Sequence, residues 1–358
     1  MSDSERSPLF RRFPDLAGRL PWQPLGKFPT RVDRVTVRTP DGSDRTFFVK
    51  REDLCGDVYG GNKVRKLEFL LPEAKRRGAR RLITVGAAGS HHALATTVHG
   101  TASGFGVTVV LFPQDLTDHV RDILLMDQAL GAEIRWVRRM EFVPFAMWHA
   151  RLSWRHEQPF VVAAGGSDAT GTLGWVGAGL ELAEQIARGE CPVPPVIHVA
   201  AGTLGTAAGL ALGLAIAGVD TRIAASRITS RIITNEHALG QLVRGAAALL
   251  HSAGDMPVQR AIDMVEIRHG QIGRGYGRTT PEAENARRAF ADAELMLDGT
   301  YTAKAAAELL ASEDDEDTLF INTLSSVEPL DRVAPGTVTE LPDAVAAYLA
   351  DGGTRPRD

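Results

Sequence analysis

Apolar and polar positions along the chain follow two periods. RVTVRTP (34–40) and RTFFVKRED (45–53) alternate residue by residue around Asp41-Gly42, which predicts a β-hairpin. A glycine-rich loop, GDVYGGNK (56–63), leads into KVRKLEFLLPEAKRRG (63–78), where apolar residues recur at helical spacing. Short apolar runs and helical stretches then take turns. RRLITVG, VTVVLF, EIRWV and FVVAAGG read as strands. SHHALATTVHGTASG, DHVRDILLMDQALGA and FVPFAMWHARLSWRHEQ read as helices, the second ending at Gly131. GTLGWVGAGLELAEQIARG follows, then the strand PPVIHVAA, a Gly/Thr turn and the helix AAGLALGLAIAG. This order predicts an α/β fold with mainly parallel sheets. The first thirty residues, rich in Pro, Arg and Phe, read as an irregular arm, and SEDDEDT (312–318) as an acidic loop. There is no internal repeat and no clean linker, which points to one domain inserted in another.

Composition narrows the class. The 358 residues suffice for two domains, and 44% hydrophobic with 23% charged residues is ordinary for a globular protein. A net charge of -4 gives no reason to expect nucleic acid or an anionic membrane as partner. Two cysteines, Cys55 and Cys191, make neither a disulfide framework nor a four-cysteine metal site. No stretch approaches twenty uninterrupted apolar residues, and MSDSERSPLFRRFPDL lacks the apolar run of a signal peptide. The expectation is a cytoplasmic protein with no metal.

Three segments can carry chemistry. In Gly60-Gly61-Asn62-Lys63 the glycines permit close approach to the lysine. A desolvated lysine attacks carbonyls, although a lysine at a helix start is by itself usually a solvated residue. In Gly86-Ala87-Ala88-Gly89-Ser90-His91-His92, Ser90 precedes a helix. It is either a plain cap or part of an anion site for a substrate carboxylate. Adjacent histidines point to different faces, so joint metal ligation is disfavoured. Gly202-Thr203-Leu204-Gly205-Thr206 sits between strand and helix and suits a phosphate monoester. It lacks both the Walker A ending and the dinucleotide fingerprint. The bland alternative there is a tight packing turn.

Together these segments resemble the 1-aminocyclopropane-1-carboxylate deaminase and D-cysteine desulfhydrase family, which shares the fold of tryptophan synthase β. The resemblance rests on Lys50-Arg51-Glu52-Asp53, then Gly60 to Lys63, then Arg65-Lys66-Leu67-Glu68. AAGGSDATGTLGWVGAGLELAEQI, GTLGTAAGL, Tyr276-Gly277, Tyr301-Thr302-Ala303-Lys304 and NTLSSVEPL follow in the family order, so that residues 20 to 345 are covered. The resemblance implies fold-type II, two open, twisted, mainly parallel sheets flanked by helices, with pyridoxal 5'-phosphate as cofactor. Residues 66–172 would form a small domain inserted in a large one built from 1–65 and 173–358. Lys63 would carry the cofactor as a Schiff base, with Asn62 beside it, and Gly202, Thr203, Leu204, Gly205 and Thr206 would hold its phosphate. Thr302 would approach the pyridine nitrogen. Ser90, Tyr276 and Tyr301 would act on a small amino-acid substrate, with His91 and His92 near it. A homodimer is the family expectation.

The chain also departs from the family pattern. Gly89 and His91 stand where glutamine and asparagine are usual, and Ser325-Ser326 replaces a glycine pair near the ring, with Thr323 for a histidine. His91 could replace the asparagine that donates to the cofactor's ring hydroxyl. Thr302, rather than glutamate, fits the desulfhydrase-like members. The expected reaction is α,β-elimination giving a 2-oxo acid and ammonia. The alternatives are β-replacement, racemisation or ring opening, and a non-catalytic cofactor-binding protein.

Overall fold

The computed structural model describes residues 7–250, 255–314, 317–327 and 341–353. Residues 1–6 of the arm, 315–316 of the acidic loop and 328–330 of NTLSSVEPL lie outside that set. The strands are β1 Val32–Arg38, β2 Asp44–Lys50, β3 Arg81–Ala87, β4 Gly106–Phe112, β5 Glu133–Trp136, β6 Phe160–Val161, β7 Val196–Ala201, β8 Arg222–Arg227, β9 Val265–Arg268 and β10 Leu319–Ile321. They form a six-stranded sheet ordered β1-β2-β10-β7-β8-β9 and a four-stranded sheet ordered β5-β4-β3-β6. Among the described residues every pairing is parallel except the β1–β2 hairpin, whose register sets Val35 opposite Phe47. All six residues of β7 are buried, as expected where helices cover both faces of a parallel sheet. The four-stranded sheet falls, in sequence, between strands of the larger one.

The Lys63–Arg76 helix crosses from one layer to the other. Pro72 lies inside it and lacks the N–H that would bond Glu68. That carbonyl is taken instead by the Gln23 N–H at 3.0 Å. The helix Ala169–Ala187 packs against Gly205–Ala217 through glycines. A Cβ at Gly179 would lie 2.6 Å from the Leu210 carbonyl, and one at Gly213 2.3 Å from that of Val176.

Two expectations are corrected. The N-terminal arm is not irregular throughout: Pro8–Arg12 is helical and Pro14–Leu16 is a 3-10 turn. Leu9, Phe10, Phe13 and Leu16 follow helical spacing and bury in the core beneath the large sheet. The last described helix, Asp343–Ala350, was assigned by sequence to the larger unit. It places Val345 and Tyr348 in the core of the smaller sheet, where Tyr348 lies 4.8 Å from Trp136 ring to ring.

Candidate active site

A cavity of about 480 Å³ lies between the sheets, lined by the ends of β3, β4 and β7 and the start of the Lys63–Arg76 helix. This is where parallel sheets usually place ligands, at the carboxyl ends of their strands.

Lys63 opens that helix and lines the cavity. Gly61, at φ +84°, turns the chain into it, and a Cβ there would lie 2.7 Å from the Thr323 carbonyl. The Asn62 N–H donates to that carbonyl, and the Trp175 indole donates to the Asn62 carbonyl. Lys63 Nζ donates to Asn62 Oδ1 at 3.0 Å, while Asn62 Nδ2 donates to Thr206 Oγ1 at 3.0 Å. One amide thus ties the lysine to the Gly/Thr loop. Withdrawal from water pushes the Lys63 pKa down from 10.5 to about 8, against the opposing pull of the Asp298 carboxylate.

Gly202, Thr203, Leu204, Gly205 and Thr206 all line the cavity. Leu204 takes φ +62°, so the loop turns sharply into the Gly205–Ala217 helix, whose first residues, Gly205 and Thr206, line the cavity. The sequence reading missed two groups here. Lys66, one turn after Lys63, lines the cavity and donates to the Gly165 carbonyl and to Ser167 Oγ, both at 2.9 Å. Ser167 Oγ in turn meets Thr203 Oγ1 at 2.7 Å. A Cβ on Gly205 would lie 2.5 Å from Ser167 Oγ and 3.0 Å from Lys66 Nζ. Burial and the Lys63 charge hold the Lys66 pKa far below its usual value. The spacing Lys63–Lys66 was available as a signal, since residues three apart share a helix face.

Ser90 caps the His91–Ala102 helix, its hydroxyl accepting from the Ala93 N–H at 3.2 Å, and it also lines the cavity. His91 and His92 line the cavity too, and they face different surroundings. His91 Nδ1 meets the Tyr59 hydroxyl at 2.7 Å and Nε2 meets His119 Nε2 at 3.0 Å. Both ring nitrogens are engaged with protein groups, so His91 stands as a wall of the site, not as an open donor to a ring hydroxyl. Burial, then His119, hold it neutral by pushing its pKa down. Thr84 Oγ1 donates to the Val162 carbonyl, so it accepts from His92 Nε2–H at 2.8 Å.

Tyr276 and Tyr301 line the opposite wall with hydroxyls 2.5 Å apart and rings edge to face. Burial pushes the pKa of each up, so both are neutral phenols. Thr302 does not line the cavity. Its hydroxyl donates to Asp298 Oδ1 at 2.7 Å and accepts from the Asp298 N–H at 2.8 Å. The cavity is lined instead by Asp298, whose carboxylate also accepts the N–H groups of Thr300, Tyr301 and Thr302. Burial raises its pKa, but the hydrogen bonds it accepts from Thr302 and Tyr301 carry it below the ordinary 3.8 and keep it ionised. An aspartate just before a helix is a capping signal, and that was the clue to it. Ser325 and Ser326 also turn away from the cavity, which Thr323 and Leu324 line. Ser325 Oγ accepts from the Gly60 N–H, and Ser326 Oγ donates to the Asp53 carbonyl, so the pair braces the glycine loop. Gly89 leaves room for Gln114, since a Cβ there would lie 2.8 Å from Gln114 Nε2.

Behind Lys63 lies a buried ion network. Arg65 donates to Glu52 and Glu181, and Lys50 donates to Glu181 at 2.7 Å, all four side chains being at most 3% exposed. Among the described residues no group of three or more His, Cys, Asp or Glu could hold a metal ion. No described helix is long and apolar enough to cross a membrane.

A lysine of lowered pKa, beside a Gly/Thr loop at a helix N-terminus with a second lysine behind it, fits an aldehyde bearing a phosphate. On this frame it defines a fold-type II pyridoxal-phosphate enzyme. The chain belongs to the pyridoxal-phosphate dependent enzyme family, which it matches over residues 26–323, and pyridoxal phosphate is its cofactor. It is 36% identical over 320 residues to nocardicin C-9' epimerase of Nocardia uniformis subsp. tsuyamanensis, covering 87% of this chain and 94% of that one. It is 32% identical over 324 residues to D-cysteine desulfhydrase of Serratia proteamaculans, covering 84% and 95%. The crystal structure of an ACC deaminase homologue superposes with a TM-score of 0.73 at 30% identity, covering 91% of this chain and 98% of that one.

Proposed function

We propose that the protein removes the α-proton of an amino acid and expels a group from Cβ, giving a 2-oxo acid and ammonia. The observation that carries this reading is the Lys63 amine, set in the cavity wall at a pKa near 8 and held by Asn62, itself bonded to Thr206. When bound, pyridoxal phosphate supplies an electron sink next to Cα. Lys63 would anchor the aldehyde and, once displaced by the substrate amine, take the proton from Cα. A base of pKa about 8 is well matched to proton transfer near neutral pH, worth typically 10²–10⁴-fold. Gly202 to Thr206 and Lys66 would hold the phosphate, and Asn62 would keep the lysine aimed. Ser90, at a helix N-terminus, would receive the substrate carboxylate. The neutral Tyr276–Tyr301 pair would hand a proton to the departing group as the Cβ bond breaks.

The test is 2-oxo acid formation by the holoenzyme from β-chloroalanine, D-cysteine and other β-substituted amino acids. Product is expected from at least one of them and is lost in Lys63→Ala, which borohydride no longer labels with a pyridoxyl group. Borohydride labelling that survives in Lys63→Ala refutes the lysine assignment.

A second reading, racemisation, has its own support in the 36% identical relative named an epimerase. It uses the same α-proton removal but returns a proton to Cα. Loss of optical activity with α-deuterium uptake and no 2-oxo acid would select it.

A further inference from the structure

The groups assigned above to cofactor and amino-acid head leave part of the cavity wall unused. That part is mainly apolar, with Thr229 and Ser230 the hydroxyl residues next to it. Phe112, Met140 and Val143 line it from the side of the smaller sheet, and Ile233 and Ile272 from the side of the larger one. Met140 is 51% exposed and Ile233 37%, so large apolar side chains face water at the cavity. Exposed apolar surface of this kind marks a ligand groove when it continues a site. The wall is built firmly on one side, because the buried Lys304 donates to the Ile272 carbonyl at 3.1 Å. Among the described residues the charged side chains lining the cavity are Lys63, Lys66 and Asp298, apart from the neutral histidines. None of the five apolar residues brings a charge or a hydrogen-bonding side chain.

Resting on the α-proton chemistry proposed above, we infer that the substrate is an amino acid with a bulky, uncharged, apolar side chain, seated between Met140–Val143 and Ile233–Ile272. A three-carbon amino acid would leave that wall wet. A ring or branched chain removes it from water and gains selectivity, since even one methylene in an apolar pocket is worth roughly 10–200-fold. A carboxylate or ammonium on the side chain would lose its hydration there with no partner.

The experiment follows α-proton exchange in deuterated water by NMR, a readout shared by elimination and racemisation. The holoenzyme is given both enantiomers of alanine, cysteine, aspartate, phenylalanine and S-benzylcysteine. The expected result is kcat/KM for exchange at least about tenfold higher for the benzyl side chains than for alanine and cysteine, with aspartate the poorest. In Val143→Asp and Ile233→Asp the ratio of benzyl to small substrates is expected to fall several-fold toward one. Bound cofactor is checked by its visible band, so that a misfolded variant is recognised and Val143→Thr is measured instead. Small substrates exchanging as fast as the benzyl ones, or a ratio unmoved in the variants, overturn this inference and leave the proposed chemistry standing. No exchange from any amino acid overturns the proposed chemistry and this inference with it.

Discussion

Glu181 is the perturbation that tests how Lys63 is held in place. Its side chain is 1% exposed. It accepts from Lys50 Nζ at 2.7 Å, Arg65 Nη2 at 2.8 Å, Arg65 Nη1 at 3.1 Å and the Thr30 N–H at 3.1 Å. Lys50 and Arg65 face Glu52 and Glu181, so the cluster is neutral as it stands. Glu181→Ala leaves one positive charge in excess. Lys50 then keeps the Thr30 carbonyl and Gln185, with Glu52 only at 4.0 Å. Breaking a buried pair in this way costs about 3–5 kcal/mol. At roughly 2 °C per kcal/mol for a large domain, the melting midpoint should fall by about 6–10 °C. Replacing the whole pair, Lys50→Met with Glu181→Leu, leaves Arg65 with its two Glu52 bonds at 2.7 Å. That double variant should be less damaged than the sum of the single ones by about 0.5–3 kcal/mol. The assay is urea and thermal unfolding of apo and holo protein by circular dichroism. A Glu181→Ala loss under about 1 kcal/mol, or strict additivity in the double variant, would refute the argument. The sign with pH follows from the same contacts. Burial pushes the Glu181 pKa up, but Arg65 and Lys50 bring it below the ordinary 4.5. Its contribution is therefore present above pH 4.5 and fades as the pH falls below it.

Other outcomes follow from the cavity. The rate at which apoprotein takes up pyridoxal phosphate covalently should rise with pH and reach half its maximum near pH 8, where the Lys63 amine loses its proton. Asp298→Asn removes the anion that favours the ammonium, so stopped-flow uptake in that variant should show a lower midpoint, and an upward shift would contradict the electrostatics. Gly205→Ala drives a Cβ to 2.5 Å from Ser167 Oγ, and cofactor titration should show affinity weakened about tenfold or more, about 1.4 kcal/mol. Gly174→Ala sets a Cβ 1.9 Å from the Arg65 carbonyl, where backbone must move. Urea midpoints should report a loss of about 1–3 kcal/mol, and an unchanged midpoint would mean that the helix Ala169–Ala187 does not meet the Lys63–Arg76 helix at Gly174.

What the sequence determined by itself was local or periodic. Alternation fixed the β1–β2 hairpin, helical spacing fixed the Lys63–Arg76 helix, and the mostly apolar VIHVAA announced the strand β7. Gly61 and Lys63 could be singled out because a glycine turn and a helix start are properties of neighbouring residues. Tertiary structure decided what depends on partners far along the chain. Nothing near Lys66 signals that its amine ends at Gly165 and Ser167, about a hundred residues on, and nothing near Glu181 signals Lys50. Thr302 faces Asp298 and not the cavity because the helix start there needs its donors and acceptors satisfied, and the serines at 325 and 326 are spent on the glycine loop for the same reason. The arm at 8–16 folds because the large sheet offers its apolar side chains a core, which a pattern interrupted by proline and arginine does not announce. Period records which face of an element is buried. It does not record which residues wait on the other side, because those contacts form only when distant segments close on one another and exclude water.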